Sequence, residues 1–167
     1  ARLSPVMEQV IAFARRGGLV LGICNGFQVL CESGLLPGAL VRNQSRRFIC
    51  APATLRVEEV DTPFTCRYLR EETISIPIKH GEGCYVADDE TLTQLQRNRQ
   101  ILLRYADAEG VVSAAANPNG SLDNIAGIVN AQRNVFGLMP HPEHAVDPLC
   151  GGTDGVRLFR SIVAWYE

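Results

Sequence analysis

The sequence predicts an α/β fold, and three observations carry that reading. The apolar run Leu19-Val20-Leu21-Gly22-Ile23 lies between two segments of helical spacing. Runs of this kind, apolar at every position, are strands buried on both faces of a sheet. Further strand-like segments recur downstream with turn signals between them, and the chain closes on an amphipathic helix, so helices and strands are interspersed. A length of 167 residues with 46% hydrophobic content fits one domain, 1–167, with a core of its own.

The first helix begins at Ser4, a candidate N-cap, with Pro5 at the first helical position, where its missing N–H costs nothing. Val6, Val10, Phe13 and Ala14 share one face, and Gly17-Gly18 stops the helix. Cys24 directly follows the apolar strand. From Asn25 to Ser33 the spacing of Phe27, Leu30 and Cys31 is helical, with Gly34 as its C-cap. Phe48 to Val60 alternates in part, through Leu55 and Val57. Thr73 to Lys79 puts Ile74, Ile76 and Ile78 on one face, and Pro77 assigns that strand to an edge or a strand end. It runs into the loop His80-Gly81-Glu82-Gly83. Asp88 opens a short helix reaching Asn98, Ile101 to Tyr105 is a strand, and Asn117-Pro118-Asn119-Gly120 is a turn. Ile125 to Val129 and Val135 to Met139 form a hairpin turning at Gln132-Arg133-Asn134. The last helix runs from Thr153 to Trp165 with Val156, Phe159, Ile162 and Val163 inward.

Composition excludes several functions. With 16 basic against 18 acidic residues the net charge is -2, which argues against a nucleic-acid binder. No apolar run reaches the ~20 residues of a membrane span, and no secretory signal is visible. The expected setting is cytoplasmic. Lys79 is the only lysine, read here as a matter of composition. The six cysteines include no C-x-x-C pair, and the three histidines lack zinc-finger spacing, so no metal is expected.

Chemistry concentrates at two places. Gly22-Ile23-Cys24-Asn25-Gly26 is a G-x-C-x-G turn between strand and helix, the thiol form of a nucleophile elbow. The tight turn asks for small neighbours, hence Gly22 and Gly26. It lifts the sulfur out of the sheet, the helix N-terminus stabilises a thiolate, and the Asn25 N–H stands as an oxyanion donor. A cysteine nucleophile needs a base and a group that orients it. His141-Pro142-Glu143 supplies both: an i, i+2 pair on an extended segment, stiffened by proline, sets imidazole beside carboxylate. His141 takes the thiol proton and later protonates the leaving group, while Glu143 fixes the tautomer.

The runs Leu21-Gly-Ile-Cys-Asn-Gly-Phe-Gln-Val-Leu30 and Gly137-Leu-Met-Pro-His-Pro-Glu143 resemble the nucleophile and His/Glu motifs of class I (triad-type) glutamine amidotransferases. Segments 24–28, 34–40, 47–50, 77–83, 117–121 and 125–130 resemble, more narrowly, the branch of glutaminase subunits of phosphoribosylformylglycinamidine synthases in purine biosynthesis. The likeness covers essentially the whole chain. It implies a doubly wound, mostly parallel sheet flanked by helices in flavodoxin-like layers. It also implies hydrolysis of L-glutamine through a Cys24 thioester, with ammonia passed to an ATP-dependent synthetase. The implied partners are a large synthetase subunit and a small accessory subunit. No cofactor is implied in this chain; ATP and Mg are expected only on the synthetase. Gln28 matches a family position near the glutamine pocket, though a polar residue on a helix's first turn would look the same.

The resemblance has departures. The family carries a strand–helix region upstream, with a Gly-Gly loop that gives a second oxyanion N–H; nothing here matches it, so the reading is of an N-terminally incomplete domain. His144 stands where many relatives carry Arg. For His80 there are three readings: lining of the pocket or a partner interface, a solvated loop, or a spare base. The cluster Arg42, Asn43, Arg46, Arg47 reads as a solvated face or an anionic-partner surface. A weakly active docking module, or the glutaminase of another amidotransferase, are the competing functions.

Overall fold

A computed structural model describes residues 4–167. The chain order is α1 (Pro5–Arg15), β1 (Val20–Ile23), α2 (Asn25–Glu32), β2 (Ala39–Val41), β3 (Ile49–Val57), β4 (Thr73–His80), β5 (Cys84–Val86), α3 (Asp89–Arg97), β6 (Ile101–Tyr105), β7 (Ile125–Val129), β8 (Val135–Leu138) and α4 (Val156–Trp165). Pro5 opens α1, and Gly17, at φ 88°, follows its end. The Asp88 carboxylate caps α3 by accepting from the Thr91 N–H at 2.7 Å. Gly34 follows α2 at φ 72°, a left-handed position that glycine adopts without strain.

Six strands form one sheet in the order β1-β8-β7-β6-β3-β4, while β2 and β5 pair separately. The α/β class is as expected, but the pairing is less parallel. β1 and β8 run parallel, with Gly22 opposite Gly137; the other neighbours in the sheet are antiparallel. Parallel neighbours need a crossover helix, and the connections from β3 to β4 and from β7 to β8 contain none.

Helices cover both faces. Ala14 of α1, Phe27 and Leu30 of α2 and Leu95 of α3 pack on one side with Ile101, Ile128 and Val135. Leu158 of α4 packs on the other with Leu55, Ile76, Phe136 and Leu138. The inward faces are shifted from those read off the sequence. Met7 and Ala14 are the buried residues of α1, whereas Val6 and Phe13 are exposed; in α4 Leu158 and Ser161 are buried and Val163 is exposed. Each helix meets only one flank of the sheet, so its buried stripe is narrower than its apolar one.

Glycine permits the closest approach beneath the site. A Cβ on Gly137 would lie 2.2 Å from the Phe27 ring, so α2 sits directly on the β1–β8 pair. The sheet also curls. Its two edges, β1 and β4, are last in the strand order at opposite ends, yet the Cys24 thiol after β1 reaches the Lys79 carbonyl of β4 at 3.8 Å. Pro77 lies on this edge, as expected, directly opposite Pro52 of β3. The outward Pro77 carbonyl accepts from the His141 N–H at 2.8 Å. Among the described residues, no helix is long and apolar enough to cross a membrane.

Candidate active site

Cys24 joins β1 to α2 with φ 51° and ψ -106°. An L-residue with that pair of angles is strained by about 1–3 kcal/mol, and surrounding contacts hold it there. The Cys24 N–H donates to the Leu138 carbonyl at 2.8 Å, extending the β1–β8 ladder by one residue. Its carbonyl accepts from the Phe27 N–H at 3.0 Å, which starts α2. The demand for a small residue is real at Gly22, where a Cβ would lie 2.5 Å from Leu30 and 2.8 Å from the Gly26 backbone. It is absent at Gly26, where a Cβ would meet open space; the elbow's crowding is on its strand side. Asn25 is the first residue of α2, so its N–H is one of the donors the helix cannot satisfy internally.

The second half arrives from β8. His141 and Glu143 are brought together by a turn of 3-10 helix over Pro142–His144, not by extended chain. Pro142 opens that turn and its carbonyl accepts from the Ala145 N–H at 3.0 Å. Nδ1 of His141 lies 2.6 Å from Glu143 Oε1, so the proton sits on Nδ1 and Nε2 is the basic nitrogen. Nε2 is buried and has no well-aligned partner. Cys24 is nonetheless near enough that its thiol, first, and then the Glu143 carboxylate raise the His141 pKa above its ordinary 6.5 against the opposing effect of burial. The thiol–imidazole contact is thus loose, with the S–H turned toward Lys79, as is common before substrate binds.

Residues that the sequence reading passed over complete the support. Lys79, the only lysine, donates from Nζ to His144 Nδ1 at 2.7 Å. This leaves the His144 proton on Nε2, which faces Glu143 Oε1 at 3.9 Å. The His141 and His144 rings stack at 5.1 Å. Donor atoms of His141, Glu143 and His144 lie within 4.8 Å of one another, a spacing that could hold a metal ion. His141 and Glu143 are already paired, however, and the Lys79 ammonium on His144 repels a cation.

Gln28 stands one turn into α2 and donates to the Glu82 carbonyl at 2.8 Å. His80 is the last residue of β4 and is buried, which overturns the solvated-loop reading. Asn43 is likewise buried, not part of a solvated face, and bonds to His80 and the 81–83 loop. Two turns beyond Cys24, Cys31 packs against the core, and burial pushes its thiol up to about 12.

A family model described as the CobB/CobQ-like glutamine amidotransferase domain matches residues 2–166. The chain belongs to this glutamine amidotransferase family. A phosphoribosylformylglycinamidine synthase subunit PurQ of Gloeobacter violaceus is 57% identical over 164 residues, covering 98% of this chain and 71% of that protein. The PurQ subunit of Moorella thermoacetica is 56% identical over 167 residues, with 100% and 71% coverage. The solved structure of PurLQS from Thermotoga maritima superposes with a TM-score of 0.86 at 44% identity, over 99% of this chain and 70% of that one. The curl of the sheet brings Cys24 near the His141–Glu143 pair. A cavity of about 550 Å³ along α4, lined by Val156, Phe159 and Val163, contains no nucleophile.

Proposed function

We propose that the chain is the glutaminase component of a phosphoribosylformylglycinamidine synthase, with Cys24 as nucleophile, His141 as base and acid, and Glu143 as its orienting group. The observation that carries the proposal is the strained Cys24 elbow facing a histidine whose Nδ1 is tied to a carboxylate at 2.6 Å. Likeness to PurQ subunits across nearly all of this chain, and 71% of theirs, supports the choice of pathway. In this scheme His141 Nε2 takes the Cys24 proton and the thiolate attacks the side-chain carbonyl carbon of glutamine. The oxyanion is met by the Asn25 N–H. As the C–N bond breaks, His141 returns the proton to nitrogen and ammonia leaves. Water, deprotonated by the same imidazole, then hydrolyses the thioester to glutamate. Ammonia passes to a synthetase subunit, to which ATP and Mg belong; the PurLQS assembly of the solved neighbour supports such a partner. Gly22 shapes the elbow in this scheme and Gln28 braces its helix.

A diazoketone analogue of glutamine tests the site. The expected result is a single adduct on Cys24, prevented by excess glutamine, with the exposed Cys50, Cys66 and Cys150 as internal controls. Adducts spread over those cysteines, without glutamine protection, overturn the proposal.

A further inference from the structure

One residue beyond the Lys79 carbonyl that the Cys24 thiol reaches lies a buried imidazole nitrogen that the scheme above does not use. His80 closes the inward row of Ile74, Ile76 and Ile78 on β4 and is 3% exposed. Asn43 fixes its tautomer. Asn43 Nδ2 donates to the Arg47 and His80 carbonyls, both at 2.8 Å, and Oδ1 accepts from the Gly83 N–H at 3.0 Å. The amide can therefore be oriented one way only. Its Oδ1 must also accept from His80 Nδ1 at 3.0 Å, so Nδ1 carries the proton. Nε2 is left as a bare acceptor, buried and without a partner among the described residues. The ring is also held in place, since a Cβ on Gly83 would lie 2.4 Å from Nδ1 and Cε1. Burial and, next, the neighbouring His141 depress the His80 pKa to about 4, so it stays neutral at pH 7. His141 Nε2 is the other orphaned imidazole nitrogen, and the Cys24 thiol lies at the carbonyl of the residue before His80. Buried polar groups without partners are rare and call for a ligand or a water.

We propose that His80 Nε2 accepts a hydrogen bond from the N–H of the reacting carboxamide and from the ammonia it becomes. The inference rests on the glutaminase reading. The chemistry of the two sides matches. A primary amide offers two N–H donors at the leaving nitrogen, and free ammonia offers three. His80 has a lone pair to receive one and no proton to give on that nitrogen, so ammonia leaves uncharged and nucleophilic. No bond to His80 forms or breaks; the proton that completes ammonia comes from His141.

Two variants separate the nitrogens. His80→Asn keeps an N–H near the Nδ1 position and removes the acceptor; His80→Gln places an amide oxygen near the Nε2 position. The readout compares glutamine with its γ-methyl ester, which has the same carbonyl but no N–H to donate. For His80→Asn, kcat/KM on glutamine should fall roughly 10- to 100-fold, while ester hydrolysis stays within about twofold, well under the effect of a lost buried hydrogen bond. His80→Gln should recover most of the glutamine rate. Equal losses on both substrates mean a structural role and overturn the proposal, as does no loss on glutamine. If neither variant folds, nitrogen NMR of the histidine-labelled enzyme decides: the His80 Nε2 signal must move when glutamine fills a Cys24→Ser site, and a fixed signal overturns it. A wild-type enzyme inactive on both substrates would instead sink the glutaminase reading itself.

Discussion

Two buried polar clusters lie on this sheet, and they are built by opposite rules. At Glu59 both carboxylate oxygens face cations, although Oε2 has an ion pair without an aligned hydrogen bond. Its Oε1 accepts from the Val60 and Asp61 N–H groups at 2.9 and 3.2 Å and from Arg70 at 2.7 Å, and Oε2 lies 2.6 Å from Arg99 Nε. Around Cys24 the geometry is as rigid, but the nitrogens His80 Nε2 and His141 Nε2 are left empty. The first cluster spends its hydrogen bonds on joining β3 to the turns beyond it. The second keeps two acceptors in reserve, at a cost of about 1–3 kcal/mol for each buried group. Positive φ does not separate the two, since Cys24 sits at φ 51° and Arg99 at φ 55°; the Cys24 turn adds a ψ of -106°. A paired cluster of this kind holds a fold, and an orphaned one in a strained frame waits for substrate.

The largest effects break the reactive cluster. Cys24→Ala should lower glutamine hydrolysis by roughly 10⁴- to 10⁶-fold with little change in stability. Cys24→Gly should be equally inactive yet more stable by about 1 kcal/mol, because glycine adopts a positive φ without strain. A thermal melt showing no stabilisation would remove the claim of stored strain. Glu143→Gln comes next, with a loss of roughly 10²- to 10⁴-fold. The pH profile adds a sign. The Cys24 thiol and then Glu143 raise the His141 pKa, and the neutral imidazole is the base. Removing the carboxylate lowers that pKa toward 6.5, so the acidic limb of kcat/KM should move to lower pH. An acidic limb unmoved in Glu143→Gln would detach His141 from it.

The structural cluster should respond in stability and not in turnover. Glu59→Ala leaves two N–H groups without their acceptor, and a loss of about 1–3 kcal/mol is expected. Activity per folded molecule should stay at the wild-type value. Burial raises the Glu59 pKa, but the Asp61 and Val60 N–H groups and the charges of Arg70 and Arg99 outweigh it and hold the carboxyl below 4.5. A depressed carboxyl contributes stability above the unfolded pKa, and that contribution is lost as pH falls through the folded value. Urea melts of wild type should thus weaken below about pH 4.5, near the ordinary carboxyl value, and Glu59→Gln should lack that part of the slope.

The two clusters also differed in how far the sequence disclosed them. The elbow was legible because its parts are contiguous: an apolar strand, Gly22, Cys24 and a helix within a dozen residues. His141 and Glu143 were legible as a pair two residues apart, and hairpin chemistry announced the strand that carries them. The curl of the sheet was not legible. It brings β4 against the ends of β1 and β8, and so gives Lys79, His80 and Asn43 their roles. A single lysine carries no periodic signal, and Asn43 among arginines reads as surface until a distant loop closes over it. The antiparallel pairs other than the β7–β8 hairpin escaped for a related reason: an apolar run fixes burial, while strand direction is set by connections whose path the pattern does not record.

The smallest expected effect tests the join between the elbow and this curled edge. Gln28 projects from the first turn of α2, and its Nε2 donates to the Glu82 carbonyl at 2.8 Å. The bond spans 54 residues of sequence and braces the loop whose Gly83 backbone confines the His80 ring. It is exposed, so water replaces it readily, and Gln28→Ala should reduce stability by no more than about 1 kcal/mol. Its consequence should fall on substrate affinity, with a roughly two- to tenfold rise in KM for glutamine and an unchanged kcat. A collapse of kcat comparable to that of Glu143→Gln would place Gln28 against the reacting atoms and not on the brace. A KM equal to wild type would mean that the loop keeps its position through Asn43 alone, which already bonds residues 47, 80 and 83 from a single amide.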